Sequence, residues 1–407
     1  MTTLDDVTTY GPQAQAAVRE RLLQTARDLR PLLREHADES ERNRRLAENS
    51  ERALRESGLF QALTPRRSGG SGGDVRTLIE LSAEISRGDS SAGWVAFIAN
   101  TTAFGMGLFP DDVRELVYGP DPRNVAVSQF APAGTAEKVD GGYRINGKWG
   151  FASGCYQAQW TLNAFLVLDA EGQPSEVRWA LMPLADMRIE DTWYVVGMAG
   201  TGSNTLVAED LFVEDRCTLD VETFMGTAVF PIWHEDESSY RASLSALACL
   251  GLCGPLWGMA EAAWDFTMEN IDKGRPISYW NYADRRDAPS YRLALADARV
   301  AIDAGSMHLL RSADEMDDAA REGRVLDAAA RARIRGDSEI ATRNFRQAIT
   351  LMLDIVGTSS FAQSNPLQRV WRDLTVASGH GLNNPLLNRE VYGLSLVGRD
   401  TEEVGRL

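Results

Sequence analysis

Lysine is nearly missing from this 407-residue chain: Lys138, Lys148 and Lys273 are the only three among 42 basic residues, so Schiff-base chemistry has few candidates. Histidine is as scarce. His36, His234, His308 and His380 lie far apart, and neither a His-x-x-x-His nor a Cys-x-x-Cys pair occurs, so no metal site is expected. Of the four cysteines, Cys155, Cys217, Cys249 and Cys253, the last two share an apolar helical face in ACLGLCG, where small buried thiols are expected. Positive charge is in deficit as well. With 42 basic against 58 acidic residues and a net charge of −16, the chain would repel a phosphate backbone, so nucleic acid is not an expected partner. No run of apolar residues reaches membrane-spanning length, and MTTLDDVTTYGPQAQ has neither a basic n-region nor an apolar h-region. The expectation is a cytoplasmic protein without membrane contact.

What is present divides into three segments. Residues 1–122 read as helices, beginning with Val18, Leu22, Ala26, Leu29 and Leu33 at helical spacing. The tract SGGSGG inside this segment lacks the Gly-Lys-Ser/Thr ending of a phosphate loop and reads as a turn. Over residues 123–236 the pattern changes to short apolar or alternating runs, NVAVSQF, YRINGKWGF, WTLNAFLVL, VRWALMPL and TLVAEDLFV, divided by turn signals. Closely spaced strands with no helix between them predict an antiparallel barrel or sandwich. GMAGTGSN is followed by a strand, so it is a loop rather than a dinucleotide-binding turn. Residues 237–407 return to three long amphipathic patterns and a shorter fourth, which predict a four-helix bundle. The fold class is therefore α+β, in the order α, β, α.

That order, together with GLFQALTPRRSGGSGGD, DGGYRINGKWGFASG, GTGSNTLVAEDLFVED and NPLQRVWRDL, resembles the acyl-CoA dehydrogenase fold over nearly the whole chain. DSSAGW, GKWGFASG and the His-Gly after WRD are similar to the flavin-dependent monooxygenases sharing that fold, of the two-component phenol and indole hydroxylase type. The amino-sugar N-oxygenases are similar proteins. The resemblance implies a flavin between the β-domain and the C-terminal bundle, supplied as reduced FAD or FMN, with FAD favoured, and molecular oxygen as co-substrate. It further implies a separate NAD(P)H-dependent flavin reductase, and a homotetramer in which a neighbouring subunit completes the pocket. The activity implied is hydroxylation of an aromatic or indolic small molecule, in specialised metabolism, through a flavin C4a-hydroperoxide. Three alternatives stay open: an amino-sugar N-oxygenase, an acyl-CoA dehydrogenase, and a binding subunit without catalysis.

The stretch WRDLTVASGHGLNNP bears on that choice. Dehydrogenases of this fold often carry the base for the α-proton in a Glu-Gly-Thr motif shortly after the Arg-Asp, whereas here no carboxylate follows Asp373 until Glu390. His380 and Gly381 occupy the neighbourhood instead. An imidazole titrating near neutrality suits removal of a ring proton or protonation of the leaving peroxide oxygen, so His380 is the candidate catalytic group. Ser153, the second candidate catalytic residue, matches the family's serine or threonine at the flavin N5 edge, with Ser128, Trp149, Phe151, Thr201 and Ser203 as further flavin contacts. Arg275 falls where the superfamily sets an arginine on the flavin phosphates. Gly357 and Thr358 would let another subunit's backbone approach the cofactor. Thr102 stands where several phenol hydroxylases have a second histidine, and Phe104, Met106 and Trp233 are candidate apolar walls for a small-molecule substrate.

Overall fold

A computed structural model describes residues 11–226 and 236–404. The chain opens with α1 (Pro12–Asn43), α2 (Glu48–Glu56), α3 (Val75–Ser86), α4 (Ser90–Met106) and α5 (Asp111–Tyr118). Pro12 sits at the first turn of α1, where its missing N–H costs nothing, and Leu22, Ala26, Leu33 and Ala37 form its buried stripe. Asp74 and Asp89 cap α3 and α4 by accepting the backbone N–H of Thr77 and Ser91. Unlike α1, α4 is apolar on every side and nearly every residue in it is buried, so it runs through the centre of the molecule.

Seven strands follow: β1 (Ala126–Val139), β2 (Gly142–Ala152), β3 (Trp160–Leu168), β4 (Pro174–Pro183), β5 (Arg188–Glu190), β6 (Asn204–Glu214) and β7 (Thr218–Leu219). They form one sheet in the order β5-β6-β2-β1-β3-β4-β7. The sheet is mixed, which corrects the expectation of purely antiparallel pairing. β1 and β2 join as a tight hairpin with Val139 opposite Gly142, but β3 lies parallel to β1, with Ala126 opposite Trp160 and Ser128 opposite Leu162. The cause is local. Gln159 pins the incoming chain to the start of β1, its N–H reaching the Val125 carbonyl at 2.9 Å and its side-chain oxygen accepting the Val125 N–H at 2.9 Å. β3 must therefore begin where β1 begins. Between Gln129 and Gly134 the ladder shifts register, and the Gln129 side chain stands in for it, donating to the Gly150 carbonyl at 2.9 Å and accepting the Ala131 N–H at 3.0 Å.

After the sheet come α6 (Val221–Met225), α7 (Leu244–Gly251), α8 (Cys253–Ile271), α9 (Pro289–Glu322), α10 (Ala328–Val356), α11 (Pro366–Ala377) and α12 (Pro385–Leu396). Within this part α8 packs on α9, α10 and α11, and α9 packs on α10. Buried residues ring α8 on all sides, so it is covered by α3 and α4 from the N-terminal half as well as by α10 and α11. Leu244–Ile271 is in fact long and apolar enough to cross a membrane, contrary to the reading of the sequence, but 89% of its most apolar window is buried inside the protein. Its hydrophobicity serves the core. All four cysteines are free and buried, and burial pushes the Cys253 thiol up to about 12.

Candidate active site

Two side chains of α4 reach the sheet. The Trp94 indole N–H donates to Ser153 Oγ at 3.2 Å, and Thr102 Oγ1 lies 2.9 Å from both Ser128 Oγ on β1 and the Ile98 carbonyl. From Ser153 a chain of hydroxyls runs inward: Ser153 Oγ to Ser203 Oγ at 2.7 Å, Ser203 Oγ to Thr201 Oγ1 at 2.6 Å, and Thr201 Oγ1 to the Met198 carbonyl at 2.7 Å. All three hydroxyl residues are buried. Near the end of β2, Phe151 takes φ +60°, a conformation unfavourable for a side chain of its size, and is 69% exposed beside Trp193.

Met198 anchors the inner end of this chain. It too has a positive φ of +60°, and its peptide is gripped on both sides: its N–H donates to Asp373 Oδ1 at 2.6 Å, while its carbonyl also accepts the Trp193 indole N–H at 3.0 Å. The loop fits closely between helices, because a methyl added at Gly197 would meet the Arg372 carbonyl oxygen at 2.4 Å, and one at Gly200 would meet Ser91 Oγ at 2.8 Å. Asp373 on α11 and the α4 cap Asp89 are both buried beneath the loop. Burial raises the Asp373 carboxyl to about 6; burial and the nearby Asp373 charge raise Asp89 to about 7.

His380 lies at the break between α11 and α12, with its ring 5.9 Å from that of Trp94. Its Nδ1 accepts the Leu382 N–H at 3.2 Å, which places the proton of the neutral ring on Nε2. Burial lowers its pKa to about 4. The group expected to titrate near neutrality is therefore a neutral ring with a donating Nε2–H. Asn383 secures the turn, donating to Thr342 Oγ1 at 2.7 Å, and Asn384 caps α12 through the N–H groups of Leu386 and Leu387.

The structure thus brings His380, Ser153, Ser203 and Thr201 together through Trp94, and pairs Thr102 with Ser128. Other expectations change. Trp149 has no exposed surface and its indole N–H donates to the Ala164 carbonyl at 2.7 Å, so it belongs to the core of the β-domain rather than to a flavin contact. Phe104 and Met106 are likewise fully buried, Phe104 against the Tyr240 ring, so neither presents an open wall. Arg275 is exposed after α8, and Gly357 and Thr358 follow α10; no described contact ties these three to the Ser153 cluster. Trp233 lies outside the described residues. Trp94, Met198, Asp89 and Asp373 were not assigned functions from the sequence, although DSSAGW and WRD contain three of them.

An apolar ring face offered by Phe151, next to a buried line of hydroxyls, fits a flat tricyclic ring with a polar edge, as a flavin has. Asp373, the carboxylate of the WRD motif, is committed to the Met198 N–H. The acyl-CoA dehydrogenase N-terminal domain family matches residues 13–109, and the acyl-CoA dehydrogenase C-terminal domain family matches residues 250–385. A FADH(2)-dependent resorcinol hydroxylase oxygenase component from Rhizobium sp. is 33% identical, over 96% of this chain and 97% of that protein. The flavin-dependent monooxygenase oxygenase subunit HsaA of Rhodococcus jostii is 31% identical, over 91% of this chain and 96% of that one. Among solved structures, XiaF from Streptomyces sp., in complex with FADH2 and glycerol, superposes with a TM-score of 0.89 at 31% identity, covering 96% of this chain and 98% of XiaF. The chain belongs to the acyl-CoA dehydrogenase-fold proteins. Within them it is an oxygenase component of the two-component flavin-dependent monooxygenases, which bind a flavin and depend on a separate reductase.

Proposed function

We propose that the chain hydroxylates an electron-rich aromatic or indolic ring, using reduced FAD delivered by that reductase and molecular oxygen. The observation that carries the reading is the line of hydroxyls from Ser153 to Met198, whose Ser153 end lies beside Trp94 and a neutral His380. Bound reduced flavin would supply the two electrons with which oxygen is activated. Ser153 would hydrogen-bond the flavin N5 edge and Phe151 would lie along the ring. The His380 Nε2–H would donate to the oxygen that is left behind as the other is transferred. Ser128, held from behind by the buried Thr102 hydroxyl, would meet a ring hydroxyl or N–H, because Ser128 is only partly buried and its hydroxyl retains bonding capacity.

Assembly into a homotetramer belongs to the same proposal. It is supported by exposed Leu293, Val300 and Met307, which recur at seven-residue spacing along α9 and leave an apolar stripe on that helix. Neighbouring chains would then supply Arg275, Gly357 and Thr358 to the flavin phosphates.

The test is to give the protein reduced FAD or FMN, ¹⁸O₂ and a panel of phenols and indoles. A ring product carrying one ¹⁸O atom is expected. Formation of hydrogen peroxide alone across the panel, or desaturation of an acyl thioester, would overturn the reading, and a nitroso product from an amino sugar would replace it with N-oxygenation.

A further inference from the structure

The hydroxyl line has a direction. At its outer end stands the Trp94 indole, which can only donate, and at its inner end the Met198 carbonyl, which can only accept. Three hydroxyls lie between, each with one proton. Four hydrogen bonds need four protons, and the indole and three hydroxyls hold that number. Thr201 gives its proton to Met198, so Ser203 must give its own to Thr201, and Ser153 must give its own to Ser203. No other arrangement satisfies all four bonds. Reversal is opposed by burial: Ser153, Ser203 and Thr201 are 6%, 2% and 1% exposed, so water has little access with which to offer a substitute partner. The inner anchor is fixed as well, because the Met198 carbonyl already accepts from Trp193 and its N–H is held by Asp373.

Ser153 Oγ therefore meets any ligand as an acceptor, with one lone pair left and no proton to give. A reduced flavin carries a hydrogen on N5 and can donate to it. An oxidised flavin presents a bare N5 lone pair, which faces the Ser153 lone pair without a bond. We propose that Thr201 and Ser203, held by Met198, are redox-specificity residues: they set the polarity of Ser153 so that the site accepts reduced flavin and rejects oxidised flavin. The inference rests on the reading that Ser153 faces the flavin N5 edge. Thr201 and Ser203 act through Ser153 and are positioning residues.

The test measures the dissociation constants of reduced flavin (anaerobic) and oxidised flavin for the wild type and for Ser203→Ala, Thr201→Val and Ser153→Ala. Wild type is expected to favour reduced flavin by about tenfold or more, the weight of one hydrogen bond made rather than a lone pair opposed. Ser203→Ala frees the Ser153 proton to donate outward, so oxidised flavin should bind about three- to tenfold tighter than to wild type while reduced flavin binds no tighter. Thr201→Val should do the same, since Ser203 can then turn its proton towards Ser153. A gain in oxidised-flavin affinity is not produced by mere loosening of the loop. If both variants bind both redox states more weakly in equal proportion, or keep the wild-type ratio, the polarity argument is overturned. Should either variant fail to fold, Thr201→Ser, which keeps the relay, and the remaining variant still decide the ratio. If Ser153→Ala leaves both constants unchanged, the placement of Ser153 at N5 fails, which is a separate failure from an unaltered ratio in the other variants.

Discussion

Replacing His380 with two different amides separates the two nitrogens of its ring. Asparagine can set its Oδ1 where Nδ1 now accepts the Leu382 N–H at 3.2 Å, keeping the turn but losing any group at Nε2. Glutamine reaches the Nε2 position with an N–H donor but gives up the cap. Loss of one donor aimed at developing negative charge typically costs about 10²–10³-fold, or roughly 3–4 kcal/mol. His380→Asn should therefore form about a hundredfold less hydroxylated product per flavin oxidised, with the balance released as hydrogen peroxide, and His380→Gln should recover part of it. The assay is product by mass spectrometry against peroxide by a coupled peroxidase. Coupling within about threefold of wild type in the asparagine variant, or no advantage for glutamine, would refute the donor role.

The lowered pKa makes a second demand on the same residue. Between its ordinary value of 6.5 and about 4, the unfolded chain takes a proton that folded His380 refuses. Stability is then lost as the pH falls through that window, by at most about 3.5 kcal/mol at roughly 1.4 kcal/mol per unit. Both amide variants should lack this component in denaturant titrations from pH 7 to 4. A wild-type product yield that rises with an apparent pKa between 6 and 7, lost in His380→Gln, would show that the ring titrates after all.

Asp89 works in the opposite sense: its carboxyl is raised from 3.8 to about 7, so its contribution falls as the pH rises from about 4 to 7. Asp89→Asn should gain stability relative to wild type over that range, by up to about 4 kcal/mol by chemical denaturation, and a variant that loses ground with rising pH would contradict this. Asp373→Ala leaves the buried Met198 N–H without its acceptor and should cost about 1–3 kcal/mol, whereas Asp373→Asn, which can still accept, should recover most of it. Trp149→Phe removes the bond to the Ala164 carbonyl within the β-domain core. It should lower stability by about 1–3 kcal/mol with flavin affinity unchanged; weakened flavin binding would return Trp149 to the cofactor site.

The order of helices, strands and helices was legible because it rests on period: α1 repeats its apolar residues at helical spacing and β3 is a short apolar run between turns. The N-terminal caps of α3 and α4 were legible in principle for the same local reason, since Asp74 and Asp89 each bond an N–H within their own first turn. Parallel pairing of β1 with β3 was not, because it depends on Gln159 meeting Val125, a contact between segments distant in sequence. Nor could the sequence tell a core tryptophan from one at the site. Trp149 and Trp94 are the same residue type, each beside a glycine, and only packing turns one indole to a carbonyl and the other to a serine hydroxyl.

By itself the sequence determined the fold class, the absence of a carboxylate between Asp373 and Glu390, and the serines and histidine available for oxygen chemistry. Residue type limits which chemistry is possible, and spacing limits which local structures can form. The tertiary structure decided what those groups do: His380 is a neutral donor because burial denies it a second proton and Leu382 occupies Nδ1, and Ser153 is an acceptor because its proton is committed inward. Protonation and hydrogen-bond direction belong to the surroundings of a group rather than to its identity, and those surroundings are assembled from four separate stretches of chain.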